Sequence, residues 1–469
     1  MSDLDLAYTS ATELARRIRA KELSPVDVVS NSLARIEEVN PTLNGFCFTY
    51  PEEAIEKAKE AETAIMRGDE VGPLHGVPIA IKDLTPTKGK TTTCGSYIFE
   101  HWVPDEDALV VANLLGAGAI MVGKTTTPEF AFSSFTDSPL WGITRNPWNP
   151  ERTSGGSSGG SGVAVSSGCV PLAEGSDMGG SVRIPAAMCG CVGFKASFGR
   201  TPFEFLPSQF DGLSNHGPLA RTVADAALFL KVCQGPDERD PATLGTPLDV
   251  PLPPPSDIKG MRFALSADFG HYRVDEDVEA NLRSSAEALR AAGAEVEEVE
   301  LGWTNDFYMG WYDHWRVFHA TFFGHYLDEW REKMHPELVK LIEEGLALSA
   351  VDYKKCETEY SKAWAKLRPI LERCDALLCP TEALPAPLVT AKESEFDYVD
   401  SDGRLVGLDM TMQFNALKLP AISLPSGLSE DGLPTGMQIV GRRFDDLTVL
   451  RAAAAFEEAQ PWDAMRPPI

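Results

Sequence analysis

The chain has no uninterrupted apolar run of the ~18 residues needed to cross a bilayer. Charges are scattered through its first 30 residues without an apolar h-region, so neither a membrane anchor nor a signal peptide is expected. Positive charge is scarce: 42 Lys and Arg stand against 69 Asp and Glu, a net charge of −27. No dense run of Lys and Arg offsets that field, which argues against nucleic acid and anionic membrane as partners. The nine cysteines are odd in number and scattered from Cys47 to Cys379, unlike a secreted disulfide framework, so reduced thiols in a cytoplasm are expected. Cys189-Gly190-Cys191 has no second close Cys or His pair, so no zinc site and no metal or other cofactor is expected. His314, His319 and His325 fall five and six apart, which does not line one helical face; they read as packing residues. No internal repeat is present, which excludes a solenoid.

What is present is an ordinary globular composition, 43% apolar and 24% charged over 469 residues, with ample chain for a core. Its most unusual stretch is Thr153 to Arg183, TSGGSSGGSGVAVSSGCVPLAEGSDMGGSVR, which holds nine glycines. Glycine at that density serves tight turns and close approach of backbone to a ligand. Apolar residues continue at once (Val163, Val165, Val182, Ile184), so the stretch belongs to a packed core and not to a flexible linker. Two serines stand out, Ser157 in GGSSGG and Ser181 in GSDMGGS, 24 residues apart. A serine after Asp-x-Gly-Gly can place its hydroxyl beside free backbone N–H groups, as an acyl-transfer oxyanion requires.

A serine nucleophile needs a base. The apolar run Gly76-Val77-Pro78-Ile79-Ala80-Ile81 reads as a buried strand that carries Lys82 into the interior, where desolvation favours the neutral amine. No Gly-x-Ser-x-Gly elbow of strand-turn-helix type accompanies the eight histidines in a helpful order, which argues against a histidine-based hydrolase, and His75 reads as a packing residue. GVPIAIKD, then RTSGGSSGGSG, then GSDMGGSVRIPA, with Lys82 and Ser157 75 residues apart, resembles the amidase signature family. The resemblance extends over nearly the whole chain.

The order of elements fits an α/β fold, a single large domain over 1–469 with a mixed, mostly twisted sheet flanked by helices. Residues 1–70 form an N-terminal helical layer: Ser10-x-x-Glu13 predicts a capping box, Ser24-Pro25 starts a second helix that Asn40-Pro41 ends, and a third runs from Pro51 to Arg67 and closes at Gly68. Residues 71–235 hold the catalytic core, with a helix at Ala108 to Leu115 and a strand at Ala119 to Val122. The proline-rich connection from Gly235 to Asp257 is a candidate domain boundary. Residues 300–350 form an aromatic helical insert, and 370–469 return to the sheet. Gly118 to Thr125 matches the P-loop pattern, yet its variable residues Ala-Ile-Met-Val read as the strand itself, so nucleotide binding is not expected.

The resemblance implies a Ser-Ser-Lys triad: Ser181 the nucleophile, Ser157 the relay after a cis Gly156-Ser157 peptide, neutral Lys82 the proton acceptor. It implies an oxyanion site of backbone N–H groups from Met178, Gly179, Gly180 and Ser181. Ser176 and Asp177 read as structural, with Arg183 paired to Asp177; Ser158 and Ser161 read as turn residues. The expected activity is hydrolysis of a small carboxamide, with an apolar or aryl acyl-amide favoured, by a chain that is a candidate homodimer. The alternative is an amidotransferase A-type subunit that supplies ammonia to a partner enzyme. A largely apolar pocket is expected, bounded by Phe130-Ala131-Phe132 and by the aromatic stretch Trp303 to Trp330.

Overall fold

The computed structural model describes residues 2–396 and 398–469. Eleven strands form one mixed sheet: β1 (Phe46–Thr49), β2 (Pro78–Lys82), β3 (Ile120–Thr125), β4 (Leu172–Asp177), β5 (Val192–Lys195), β6 (Asn215–Ala220), β7 (Arg262–Leu265), β8 (Glu295–Glu298), β9 (Ala376–Pro380), β10 (Ala421–Leu428) and β11 (Pro434–Gly441). Their order across the sheet is β1-β3-β2-β4-β6-β5-β10-β11-β9-β7-β8. β2 runs parallel to both β3 and β4, whereas β4 and β6 are antiparallel. β5 and β7 join one sheet, so the connection between Gly235 and Asp257 does not divide it.

Three N-terminal helices, α1 (Ala11–Arg19), α2 (Pro25–Leu43) and α3 (Pro51–Arg67), lie in the expected places. Ser10 Oγ accepts from Glu13 N–H, but the Glu13 carboxylate turns to Arg16, so only half of the capping box forms. Pro41 does not end α2. The helix runs to Leu43 before Asn44 adopts φ 52°, because a proline in the last turn forfeits one hydrogen bond while the Asn40 amide group binds both the N–H and the carbonyl of Phe46 beyond the turn.

β3 begins at Ile120 and continues through Gly123-Lys124-Thr125. The P-loop match is therefore strand from Ile120 onward, with Gly118 in the turn before it at φ 90°. The buried Lys124 amine donates to the Thr85 carbonyl at 2.9 Å, and a Cβ on Gly123 would stand 2.4 Å from the Phe48 carbonyl oxygen. The central strands are buried on both faces, while the edge strand β8 stays partly exposed. Helices α4 (Leu109–Gly116), α7 (Val223–Cys233), α8 (Glu276–Ala291) and α12 (Asp446–Ala459) pack one core with Val192, Phe194, Ile422 and Ile439. Two further short helices, α5 (Gly159–Ser166) and α6 (Arg183–Cys189), follow the two Gly/Ser motifs and are buried along their whole length. The aromatic insert folds as α9 (Asn305–Phe323), with α10 (Pro336–Ala347) and α11 (Ala350–Arg373) packed against it. It closes a second core with Phe269, Phe414 and Met412. All nine cysteines are free, and among the described residues no helix is long and apolar enough to cross a membrane.

Candidate active site

The strand carrying Lys82 is apolar on both faces, so its last residue is delivered into the interior with no access to water; the Lys82 side chain is 0% exposed. Its Nζ lies 2.6 Å from Ser157 Oγ and 3.0 Å from Ser176 Oγ. Burial pushes the amine down to about 7, against the opposing pull of Glu174 and Asp177. A neutral amine has two hydrogens and one lone pair, so it can donate to one of these hydroxyls and accept from the other. Ser176 therefore touches the lysine directly, which corrects its reading as a loop support.

Ser157 sits in the loop that enters α5, behind a cis Gly156-Ser157 peptide. Glycine is required there by packing: a Cβ on Gly156 would stand 2.5 Å from the Ser133 carbonyl oxygen, and one on Gly160 would stand 2.4 Å from Thr126 N. The second motif follows β4 directly. Ser158 N–H donates to the Ser181 carbonyl at 3.1 Å, which stitches the two loops together. The Ser181 hydroxyl opens on a cavity of about 250 Å³ and has no hydrogen-bond partner among the described residues. Lys82 and Ser157 are thus in contact, and Ser181 lies on the next loop at the cavity floor.

Among the described residues, the backbone N–H groups of Gly179, Gly180 and Ser181 meet no acceptor, while their neighbour Val182 N–H is taken by Asp177. Unpaired backbone donors in a packed loop are rare, and here Gly179 and Ser181 border the cavity, an arrangement suited to a developing oxyanion. Met178 stands at the head of the loop with its side chain packed in the second core. Gly180 holds φ +135° against Thr411, and Gly179 lies flat under Trp311.

The loop is braced from below. Asp177 and Arg183 form a fully buried two-pronged pair, each contact 3.0 Å. Burial would raise the Asp177 carboxyl, but the Arg183 guanidinium beside it holds it below its ordinary value. The remaining Arg183 hydrogens go to the Thr411 carbonyl and to the Gln438 and Asn415 side chains. Ser161 lies one turn inside α5, donating to the Glu174 carbonyl, and Ser158 stands at the start of that helix. His75 is a packing residue bound to the Ala61 carbonyl.

The cavity wall is less apolar than the composition implies. Ala131, Phe132, Tyr308, Trp311, Tyr312 and Trp315 line it together with the polar Ser133, Ser134, Glu393 and Asp409. Ser134 donates to Asp409, and Ser133 to Glu393. Ala131 takes its place at the cavity with φ 59°, next to Phe130 at 52°. Trp303 and Phe307 point away into the second core, and Phe130 stacks on Phe323 at 4.1 Å instead of facing the cavity. Phe318 stacks behind Trp315 and does not reach the wall.

Sequence reasoning missed Glu174, Thr411, Asn415 and Gln438. The last three reach the loop from more than 200 positions away, and no local pattern marks them. Glu174 stood inside the motif as one of two carboxylates, with Asp177, in a strand buried along its whole length, which was a usable signal.

A family profile described as Amidase matches residues 27–450. The chain is 36% identical to an acylamidase of Rhodococcus erythropolis over 100% of its own length and 98% of that protein's. It is 35% identical to the A-type subunit of the glutamyl-tRNA(Gln) amidotransferase of Geobacter metallireducens, over 99% of each chain. Among solved structures it superposes on a bacterial aryl acylamidase of the amidase signature (AS) enzymes family with a TM-score of 0.91 and 32% identity, covering 97% of each chain.

Proposed function

From the premise that this chain belongs to the amidase signature family and is an amidase, we propose that it hydrolyses the C–N bond of a small carboxamide through an acyl-enzyme on Ser181. The observation that carries this reading is the contact of fully buried Lys82 with Ser157, 2.6 Å, beside the cavity onto which Ser181 opens.

In this reading Ser181 attacks the amide carbonyl, its proton passes to Ser157, and the Ser157 proton passes to the Lys82 lone pair. The N–H groups of Gly179, Gly180 and Ser181, with Met178 at the head of the loop, receive the oxyanion; losing one such donor typically costs on the order of 10² to 10³ in rate. Collapse of the tetrahedral adduct breaks the C–N bond, and the Lys82 ammonium returns its proton through Ser157 to the leaving nitrogen. Water then attacks the acyl-serine along the same route. No step requires a metal or a cofactor.

The aromatic lining of the cavity supports an aryl or apolar acyl-amide. The polar lining residues Ser133, Ser134 and Asp409 suit a hydrogen-bonding substituent on that substrate. A panel of aryl, aliphatic and ureido amides tests the reading: turnover of aryl amides by the isolated chain supports it, and no turnover of any amide overturns it. A second reading, an A-type component of an amidotransferase, is favoured by the 35% identity to such a protein. It is tested by glutamine hydrolysis, which would then outrun that of every aryl amide and rise on addition of the partner proteins.

A further inference from the structure

Glu174 lies on β4, the strand beside the one that carries Lys82, and is 1% exposed. Its carboxylate accepts from the Lys82 backbone N–H at 3.1 Å, from the Thr85 hydroxyl at 3.1 Å, and from His216 Nδ1 at 2.9 Å. The last contact requires the proton on Nδ1. The His216 ring stacks on Phe203 at 4.3 Å, and its Nε2 has no partner among the described residues.

The surroundings of Lys82 offer its amine few countercharges. Asp177, on the same strand as Glu174, is taken by Arg183. Asp83 lies in the turn after β2, bonded to Thr93 and 3.9 Å from the Lys124 ammonium on β3. Cys94 is a buried thiol whose deprotonation burial disfavours. From α5 and its leading loop come only the hydroxyls of Ser157 and Ser161, and β6 contributes His216. Glu174 is the one carboxylate here that is spent on no arginine or lysine side chain.

We propose that Glu174, fixed by His216 and Thr85, is a positioning residue that supplies the countercharge to the ammonium Lys82 becomes when it takes the Ser157 proton. A buried carboxylate without a fixed cation is costly on its own. That cost is offset by three donors in the resting state and by the lysine charge during turnover. The inference rests on the reading of Lys82 as the base, and it goes beyond that reading by giving the proton transfer an electrostatic partner outside the triad.

The experiment compares pH profiles of kcat and kcat/KM for wild type, Glu174→Gln and Glu174→Asp on an aryl amide that wild type turns over. Loss of the charge leaves Lys82 neutral at lower pH, so in Glu174→Gln the acid limb moves down by about one pH unit, the scale of one nearby opposite charge. The ammonium formed in the transition state is less stabilised, so the plateau kcat falls about tenfold. Glu174→Asp, which keeps the charge, returns the limb to the wild-type position. An acid limb that stays in place or moves up in folded Glu174→Gln overturns the inference. Should Glu174→Gln fail to fold, Glu174→Leu removes the same charge with an apolar side chain of similar size and is read in the same way. Failure of the underlying reading looks different: Lys82→Ala would then keep wild-type turnover.

Discussion

Thr411 Oγ1 donates a 2.6 Å hydrogen bond to the Gly179 carbonyl, although the two residues stand 232 positions apart. The bond fixes the peptide that carries the Gly180 N–H, one of the proposed oxyanion donors, and the same threonine blocks any side chain on Gly180, where a Cβ would meet Thr411 Oγ1 at 2.0 Å.

Thr411→Val is therefore expected to lower kcat by about tenfold with little change in KM, because it frees the orientation of donors used in the transition state. Thr411→Ser should restore most of the loss. Steady-state kinetics on one amide check this, and an unchanged kcat in Thr411→Val refutes it.

A phosphonate or a slow ester is expected to label Ser181 and no other serine, because only Ser181 opens on the cavity beside unpaired N–H groups. Intact mass followed by peptide mapping locates the adduct. Label on Ser157 in an active preparation excludes the assignment.

Lys82 is pushed down to about 7 by burial, so its lone pair is available above that pH and lost below it. Activity should rise with pH through about 7 and then level off, with circular dichroism constant across the range. Lys82→Ala should lose roughly 10²- to 10⁴-fold in kcat while it stays folded, on the scale of removing a catalytic base. The shift alone does not single out this lysine: Lys195 is also pushed down to about 7, mainly by burial, yet its Nζ is spent on the carbonyls of Ala196 and Leu419. Geometry decides between the two.

That distinction bears on how much of the site the residues disclose by themselves. The contact of Lys82 with Ser157 and the place of Ser181 at the cavity follow from local patterns, a strand end or a glycine-bound turn, whose backbone is dictated nearby. The starts of the three N-terminal helices were legible for the same reason, each marked by a local cap or proline at Ser10, Ser24-Pro25 and Pro51, whereas the strand expected at Ala119 to Val122 runs on to Thr125. Ser176 was misread because its partner, Lys82, arrives from another strand. The cavity wall was misread because eleven aromatics in one stretch divide between two surfaces, and only the packing of Trp303 on Phe414 and Phe269, with Phe307 stacked on Trp303, sends these two inward.

Arg183→Met is expected to destabilise the fold by ~3–5 kcal/mol, because it strands the Asp177 carboxylate in a site without water. Thermal unfolding should show a large fall in Tm, and activity of the surviving fold should drop as the loop after Asp177 loses its brace. A variant with wild-type Tm would show that Asp177 finds another partner.

Selectivity should reside in Trp311 and not in Phe318. The Trp311 ring covers Gly179 so closely that a Cβ there would lie 2.5 Å from it, and the ring lines the cavity beside Ser181. Phe318 stacks on Trp315 at 5.7 Å from the far side. Trp311→Ala should thus lower the ratio of kcat/KM for an aryl amide over acetamide by roughly tenfold, the ~1.4 kcal/mol expected from part of one aromatic contact. Phe318→Ala should lower stability and leave that ratio unchanged. Trp311→Phe divides the effect further, since the Trp311 indole N–H is buried without a partner among the described residues. If the ring face alone holds the substrate, phenylalanine keeps most of the preference; if the N–H binds a substrate oxygen, Trp311→Phe loses nearly as much as alanine. Equal ratios in wild type and Trp311→Ala would move the specificity to the polar lining residues Ser133, Ser134 and Asp409.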